Sequence, residues 1–136
     1  MNIYIDCEWN SFGGELISMA LVSETGDEFY EVLGCVDPHP WVAENVIPVL
    51  NKDNVSLDEF KRLLGIYLAQ FNECNIVADW PEDIEKFCAT LITGPGYRID
   101  TPPLSMQIVR IDTVSKIPHY ALEDARALRA ALKWTL

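Results

Sequence analysis

Carboxylates are the residues of this chain with the clearest capacity for chemistry. Asp6 and Glu8 are one residue apart in Ile3-Tyr4-Ile5-Asp6-Cys7-Glu8. In an extended segment that spacing puts both side chains on one face, with their Cα atoms about 6.7 Å apart. Asp124 stands in Tyr120-Ala121-Leu122-Glu123-Asp124-Ala125. On a helical wheel it lies about 40° from Leu128, inside the edge of an apolar stripe, whereas Glu123 points away. His119, one of two histidines, precedes Asp124 by five residues. Converging carboxylates hold hard divalent cations, and an imidazole near neutral pH can take a proton from water. Each feature alone has a plainer explanation. An isolated Asp-x-Glu is most often a solvated acidic face, and an aspartate in a first helical turn complements the helix dipole. The dipole explains an acid near a helix start but not one that faces inward. His39, in Asp37-Pro38-His39-Pro40, is assigned to a loop.

These residues must be positioned by the elements around them. Residues 2 to 8 read as a strand with Ile3, Ile5 and Cys7 on one face and Tyr4, Asp6 and Glu8 on the other. Residues 15 to 23 and 28 to 36 are two further strand-like runs. Glu24-Thr25-Gly26-Asp27 joins them as a hairpin turn, so the first third reads as an antiparallel meander. Ser56-Leu57-Asp58-Glu59 is a capping box, and Leu57, Phe60, Leu64, Tyr67, Leu68 and Phe71 follow at helical spacing. Cys74 to Ala78 suits a buried strand. Asp79-Trp80-Pro81 then starts a second helix over 81 to 92, ended by Thr93-Gly94-Pro95-Gly96. Residues 97 to 118, interrupted by Pro102, Pro103 and Pro118, carry the weakest pattern, with a strand placed around 97 to 101. A last helix runs from Tyr120 to Trp134 on the stripe Ala121, Leu122, Ala125, Leu128 and Leu132. This order predicts an α/β fold with a mixed sheet.

With 136 residues, 49% hydrophobic and 23% charged, the chain suits a single domain over 1–136. Its longest apolar stretches, such as Leu16 to Val22, fall far short of the roughly 20 residues that cross a bilayer. The opening lacks the basic and apolar regions of a signal peptide, so a soluble cytoplasmic protein without a membrane partner is expected. Cys7, Cys35, Cys74 and Cys88 form no Cys-x-x-Cys pair and read as small buried hydrophobes. Twenty-one acidic against ten basic residues leave a net charge of −11, which argues against a sequence-independent grip on long nucleic acid. It does not argue against phosphate met through bound cations, which can invert the sign of an acidic cleft.

Asp6-Cys7-Glu8, Asp83 at a helix start, and His119-Tyr120-Ala121-Leu122-Glu123-Asp124-Ala125 occur in an order and context that resembles the DEDDh 3′-to-5′ exonucleases. Glu15-Leu16-Ile17-Ser18 adds similarity to a compact bacterial and phage branch described as exoribonucleases. The resemblance spans residues 3 to 132. It implies a ribonuclease H-like fold of three antiparallel strands followed by alternating helices and strands. It also implies two Mg²⁺ or Mn²⁺ ions on Asp6, Glu8, Asp83 and Asp124, with His119 as general base. The same five residues form the catalytic set, and single-stranded 3′ ends are the substrate, short ones on the charge argument, with RNA slightly ahead of DNA. Asp79, four residues before Asp83, stands where many relatives carry Asn or another polar residue, and is read as supporting the ligands or touching substrate. Trp9, Phe12 and Trp80 neighbour the proposed site and can stack a terminal base or simply pack. Arg126, Arg129 and Lys133 share one side of the last helix, usually the mark of a solvated face and less often of phosphate contact. A homodimer is compatible with this reading. Two other functions compete: a catalytically silent ribonuclease H-like interaction module, and a ribonuclease H-like endonuclease or nucleotidyl transferase, which would not need His119.

Overall fold

The computed structural model describes residues 1–132. Within them the chain forms β1 (Asn2–Trp9), β2 (Leu16–Ser23) and β3 (Glu28–Val32), then α1 (Pro40–Asn45) and a 3-10 turn (Ile47–Val49). It continues with α2 (Leu57–Ala69), β4 (Cys74–Ala78), α3 (Pro81–Leu91), β5 (Ile92–Gly94), β6 (Tyr97–Arg98), β7 (Leu104–Ile108) and α4 (Ala121–Leu132). Five strands make one mixed sheet in the order β3-β2-β1-β4-β7. The hairpin links are antiparallel, and β1 with β4 and β4 with β7 are parallel.

Alternation along β1 decides which layer each residue meets. Ile3, Ile5 and Cys7 face a core made with Phe60, Leu64 and Leu68 of α2 and Phe87 and Leu91 of α3. Tyr4 faces the opposite way, packing with Val77, Leu128 and Leu132, while Ala121 and Ala125 cover Ala20 and Val22 of β2. The sheet is therefore covered by α2 and α3 on one face and by α4 and α1 on the other, and β1 is buried through Ile3, Tyr4 and Ile5 but only partly at Asp6 and Glu8. Asp6 and Glu8 share the α4 face with Tyr4 by the same period of two.

Local signals account for most boundaries. Ser56 caps α2, its hydroxyl accepting the Glu59 N–H at 3.1 Å. Pro81 occupies the first turn of α3, where its missing donor is harmless. The segment after α3 departs from expectation. Residues 97 to 101 do not supply the sheet with a strand; only Tyr97–Arg98 is extended, in a small hairpin with β5. The fifth sheet strand is β7, directly after Pro102-Pro103, where the Pro103 carbonyl accepts the Cys74 N–H at 3.0 Å. As an edge strand it is mostly exposed, so it has no apolar alternation to announce it. β3 ends at Val32, before residue 36, and the chain turns at Gly34 with φ of +79°. The six-residue α1 was not expected, and His39 stands at its N-cap. Lys133 and Trp134 of the expected last helix lie outside the described residues. Among the described residues no helix is long and apolar enough to cross a membrane. The four cysteines are unbridged, Cys7 and Cys74 being buried.

The β1–β2 loop closes on itself through Asn10 N–H to the Glu15 carbonyl (2.9 Å) and Gly14 N–H to the Ser11 carbonyl (3.0 Å). The Gly14 carbonyl accepts the Lys86 ammonium at 2.6 Å, tying the loop to α3. A methyl at Gly14 would run into the backbone carbonyl of Asn10, which cannot give way, whereas nothing lies within 4 Å of one at Gly13. Gly13, at φ of +71°, would suffer only the left-handed penalty of about 1 kcal/mol. Gly14→Ala should therefore lower the melting temperature clearly more than Gly13→Ala, whose loss should stay near 5 °C or less. Equal losses in thermal melts would show that the loop is not held as described.

Candidate metal centre

The parallel pair β1 and β4 ends at one edge of the sheet, and the acids collect there, outside the carboxyl ends of the strands, as ligand sites of α/β sheets do. Asp6 and Glu8 come from the end of β1, and Asp124 comes down from the first turn of α4. Asp79 follows β4 directly, and Asp83 lies in the first turn of α3. Asp83 is buried, and its Oδ1 accepts the Cys7 N–H at 3.0 Å. That bond joins the start of α3 to the strand carrying Asp6 and Glu8.

The side chains form two overlapping trios. Carboxylate oxygens of Asp6, Glu8 and Asp124 lie within 4.8 Å of one another, and so do those of Asp6, Asp79 and Asp83. Asp6 belongs to both, and its Oδ2 is buried without a hydrogen-bond partner. Such an oxygen is costly to leave unmatched. Among the described residues, no lysine or arginine ion-pairs with any of the five acids.

The electrostatics follow from that geometry. Asp6 is pushed well above the usual carboxylate range, first by burial and then by the charges of Asp83, Glu8, Asp124 and Asp79. Glu8 rises to about 8 through burial and then through Asp124 and Asp83. Asp83 also rises to about 8, mainly by burial, although the Cys7 N–H pulls it back. Burial raises Asp79, and it raises Asp124 against the opposing influence of Ser115 and His119. An all-oxygen donor set, half-buried, self-repelling and holding one unmatched oxygen, fits hard divalent cations such as Mg²⁺ or Mn²⁺. Asp6, Glu8 and Asp124 would hold one and Asp6, Asp79 and Asp83 another.

The remaining expected residues divide. His119 adopts φ of +66°, in the left-handed region, and its ring lies against Trp41 with centroids 4.9 Å apart and planes at 81°. Phe12 and Trp80 are exposed, at 95% and 57%. Trp9 instead packs against the core between the sheet and the α2–α3 layer. The Arg126 guanidinium donates to both oxygens of Glu28, at 2.6 and 2.8 Å, and to Glu123 at 2.6 Å. Arg129 donates to the Glu24 carbonyl, so both arginines are engaged within the protein; Lys133 lies outside the described residues. Sequence reasoning missed Trp41 altogether and placed Asp79 at the margin. Pro40, a helix-start signal directly before Trp41, was the available clue to α1. A cavity of about 600 Å³ elsewhere includes Leu16, Leu33, Val55 and Ala89 in its lining and none of the five acids.

A carboxyl whose pKa is raised by folding binds its proton more tightly in the folded chain. Between about pH 4.5 and about 8 the folded state therefore holds more protons than the unfolded one, and stability falls as pH rises through that window. Glu28, held low by Arg126, loses its contribution only on further acidification and does not mask this trend. Melting temperatures in EDTA should decline from about pH 5 to about pH 8.5, and Asp6→Asn should flatten the decline and be the more stable chain at the alkaline end. A flat wild-type profile would remove the repulsion argument. No protein-family model matches this chain and no curated protein matches it.

Proposed function

We propose that the protein is a divalent-cation-dependent 3′-to-5′ exonuclease of the DEDDh type, built on a ribonuclease H-like fold. It acts on short single-stranded 3′ ends, with RNA slightly ahead of DNA. The observation that carries this reading is the pair of carboxylate trios sharing Asp6. Two cations close enough to share a ligand would supply Lewis-acid activation of water and neutralise charge on the phosphoryl group and its leaving oxygen.

The chain's own residues divide the remaining work. Asp6, Glu8, Asp79, Asp83 and Asp124 bind and space the cations, and their mutual repulsion makes occupancy favourable. The imidazole of His119, close enough to influence Asp124, takes the proton of the attacking water. Trp80 and Phe12, exposed beside the acids in sequence, offer faces on which a terminal base can stack. A five-stranded mixed sheet covered by helices on both faces, with its acids on the central strand, on two adjoining helices and in the link after β4, supports the ribonuclease H-like reading. Gathering five buried or half-buried acids destabilises the protein unless something is bound, which disfavours a silent interaction module. His119 beside the cluster disfavours the endonuclease alternative.

Incubation with 3′-labelled and 5′-labelled single strands in Mg²⁺ or Mn²⁺ tests the reaction. Stepwise release of mononucleotides from the 3′ end is expected, while internal products or none would replace this reading. Mn²⁺ should raise the melting temperature of the wild type and of His119→Ala, but much less that of Asp6→Asn. Turnover of His119→Ala should drop by about 10² to 10⁴, the range of general base catalysis; wild-type turnover in that variant would sink its assigned role.

Binding should saturate within a few nucleotides. With a net charge of −11 and Arg126 and Arg129 engaged internally, few phosphates beyond the scissile one are neutralised. The dependence of log affinity on log salt should be shallow, corresponding to roughly one to three contacts at about 0.7 each. Values of kcat/KM that keep rising beyond about ten nucleotides, with a steep salt slope, would reveal a binding track elsewhere on the surface.

A further inference from the structure

A general base must be held to within a fraction of an ångström of its working position, and His119 has little obvious means of being held. It sits between Pro118 and Tyr120, at the end of the irregular stretch that follows β7, in a left-handed backbone conformation. Among the described residues no hydrogen bond to its imidazole is formed. Its ring does have one specific neighbour. Trp41 meets it edge-to-face, with centroids 4.9 Å apart and planes at 81°, the geometry in which the positive edge of one ring meets the negative face of another.

Trp41 is itself firmly mounted. It is the second residue of α1, next to Val42, which is buried in the core under β2 and β3 together with Val46. The Asn45 side chain donates to the Trp41 carbonyl at 2.9 Å. At the start of α1, the His39 N–H donates to Asn10 Oδ1 at 2.8 Å, and Asn10 Nδ2 donates to the Asp37 carbonyl at 3.0 Å. Asn10 lies two residues after Glu8, so the helix that carries Trp41 is tied to the strand end that carries the acids. Yet Trp41 is 55% exposed, which is unlike a residue whose main task is to fill the core.

We infer that Trp41 is a positioning residue that orients the imidazole of His119 beside the acid cluster through this edge-to-face contact. The inference rests on the proposed hydrolysis, in which His119 takes the proton. It assigns Trp41 no contact with the reacting atoms. Its effect therefore falls on turnover rather than on substrate affinity, and it applies to any phosphodiester, with or without a base.

The test uses the full chain and the variants Trp41→Ala and Trp41→Phe, the second keeping an aromatic ring. In the cation-free protein, the imidazole carbon-bound protons of His119 are read by NMR, with His39→Gln distinguishing the two histidines. The wild type should show a ring-current displacement that Trp41→Ala abolishes and Trp41→Phe largely keeps. Turnover in Mn²⁺ is then measured on bis(p-nitrophenyl) phosphate, which has no base to stack, and on a single-stranded oligonucleotide. On both substrates kcat should fall about 10-fold to 100-fold in Trp41→Ala, the scale expected of a misplaced catalytic group. KM should stay nearly constant, and Trp41→Phe should recover most of the loss. An unmoved His119 resonance overturns the inference. So does a defect confined to oligonucleotide KM, which would make Trp41 a stacking platform for bases. A wild-type chain silent on both substrates overturns the hydrolysis itself, and is told apart because the NMR arm needs no turnover.

Discussion

Repulsion among carboxylates gathered around Asp6 is the constraint on which the rest of the structure depends. Two trios of acids share this residue, and one of its oxygens is buried without a partner. Hydrophobic burial elsewhere must hold that arrangement together. β1 is the central strand, with Ile3, Tyr4 and Ile5 wholly buried immediately before Asp6. Apolar layers on both faces clamp the strand, so it cannot relax to let the acids spread. The hydrogen bond from the Cys7 N–H to Asp83 works in the same direction. It draws the start of α3 onto the strand and favours a charged Asp83, partly countering the burial that would neutralise it.

Much of this was legible in the residues. A period of two in β1 placed Asp6 and Glu8 together, and the helical wheel turned Asp124 toward the core; both rules concern side chains on regular elements with buried faces. Strands β1, β2 and β4 and helices α2 and α3 fall within a residue or two of expectation because each carries apolar periodicity or a cap. The failures lie where those signals fade. Edge strand β7 is mostly exposed, so parallel pairing with β4 defines it and no pattern of its own does. Helix α1 is six residues long with one buried side chain, too short for a period to show. Trp41 was missed for that reason, and its contact with His119 joins residues far apart in the chain. Asp79 was undervalued because the turn between β4 and α3, which swings it toward Asp6, has no sequence period that could be read.

Arg126 and Arg129 share one side of α4 and invite assignment to phosphate, but each already has partners. Arg126 bridges Glu28 on β3 and Glu123 on its own helix, while Arg129 reaches the turn between β2 and β3. They fasten α4 to the meander, and so hold Asp124 against the strand that bears Asp6 and Glu8. A guanidinium fork engaged by a carboxylate is not free for phosphate without breaking that bond. The helix that delivers an acid to the site is thus docked partly by its own cations. Among the described residues no lysine or arginine ion-pairs with the acids at the strand ends, and small hard cations would fit that arrangement, because they accept oxygen donors from several directions at once.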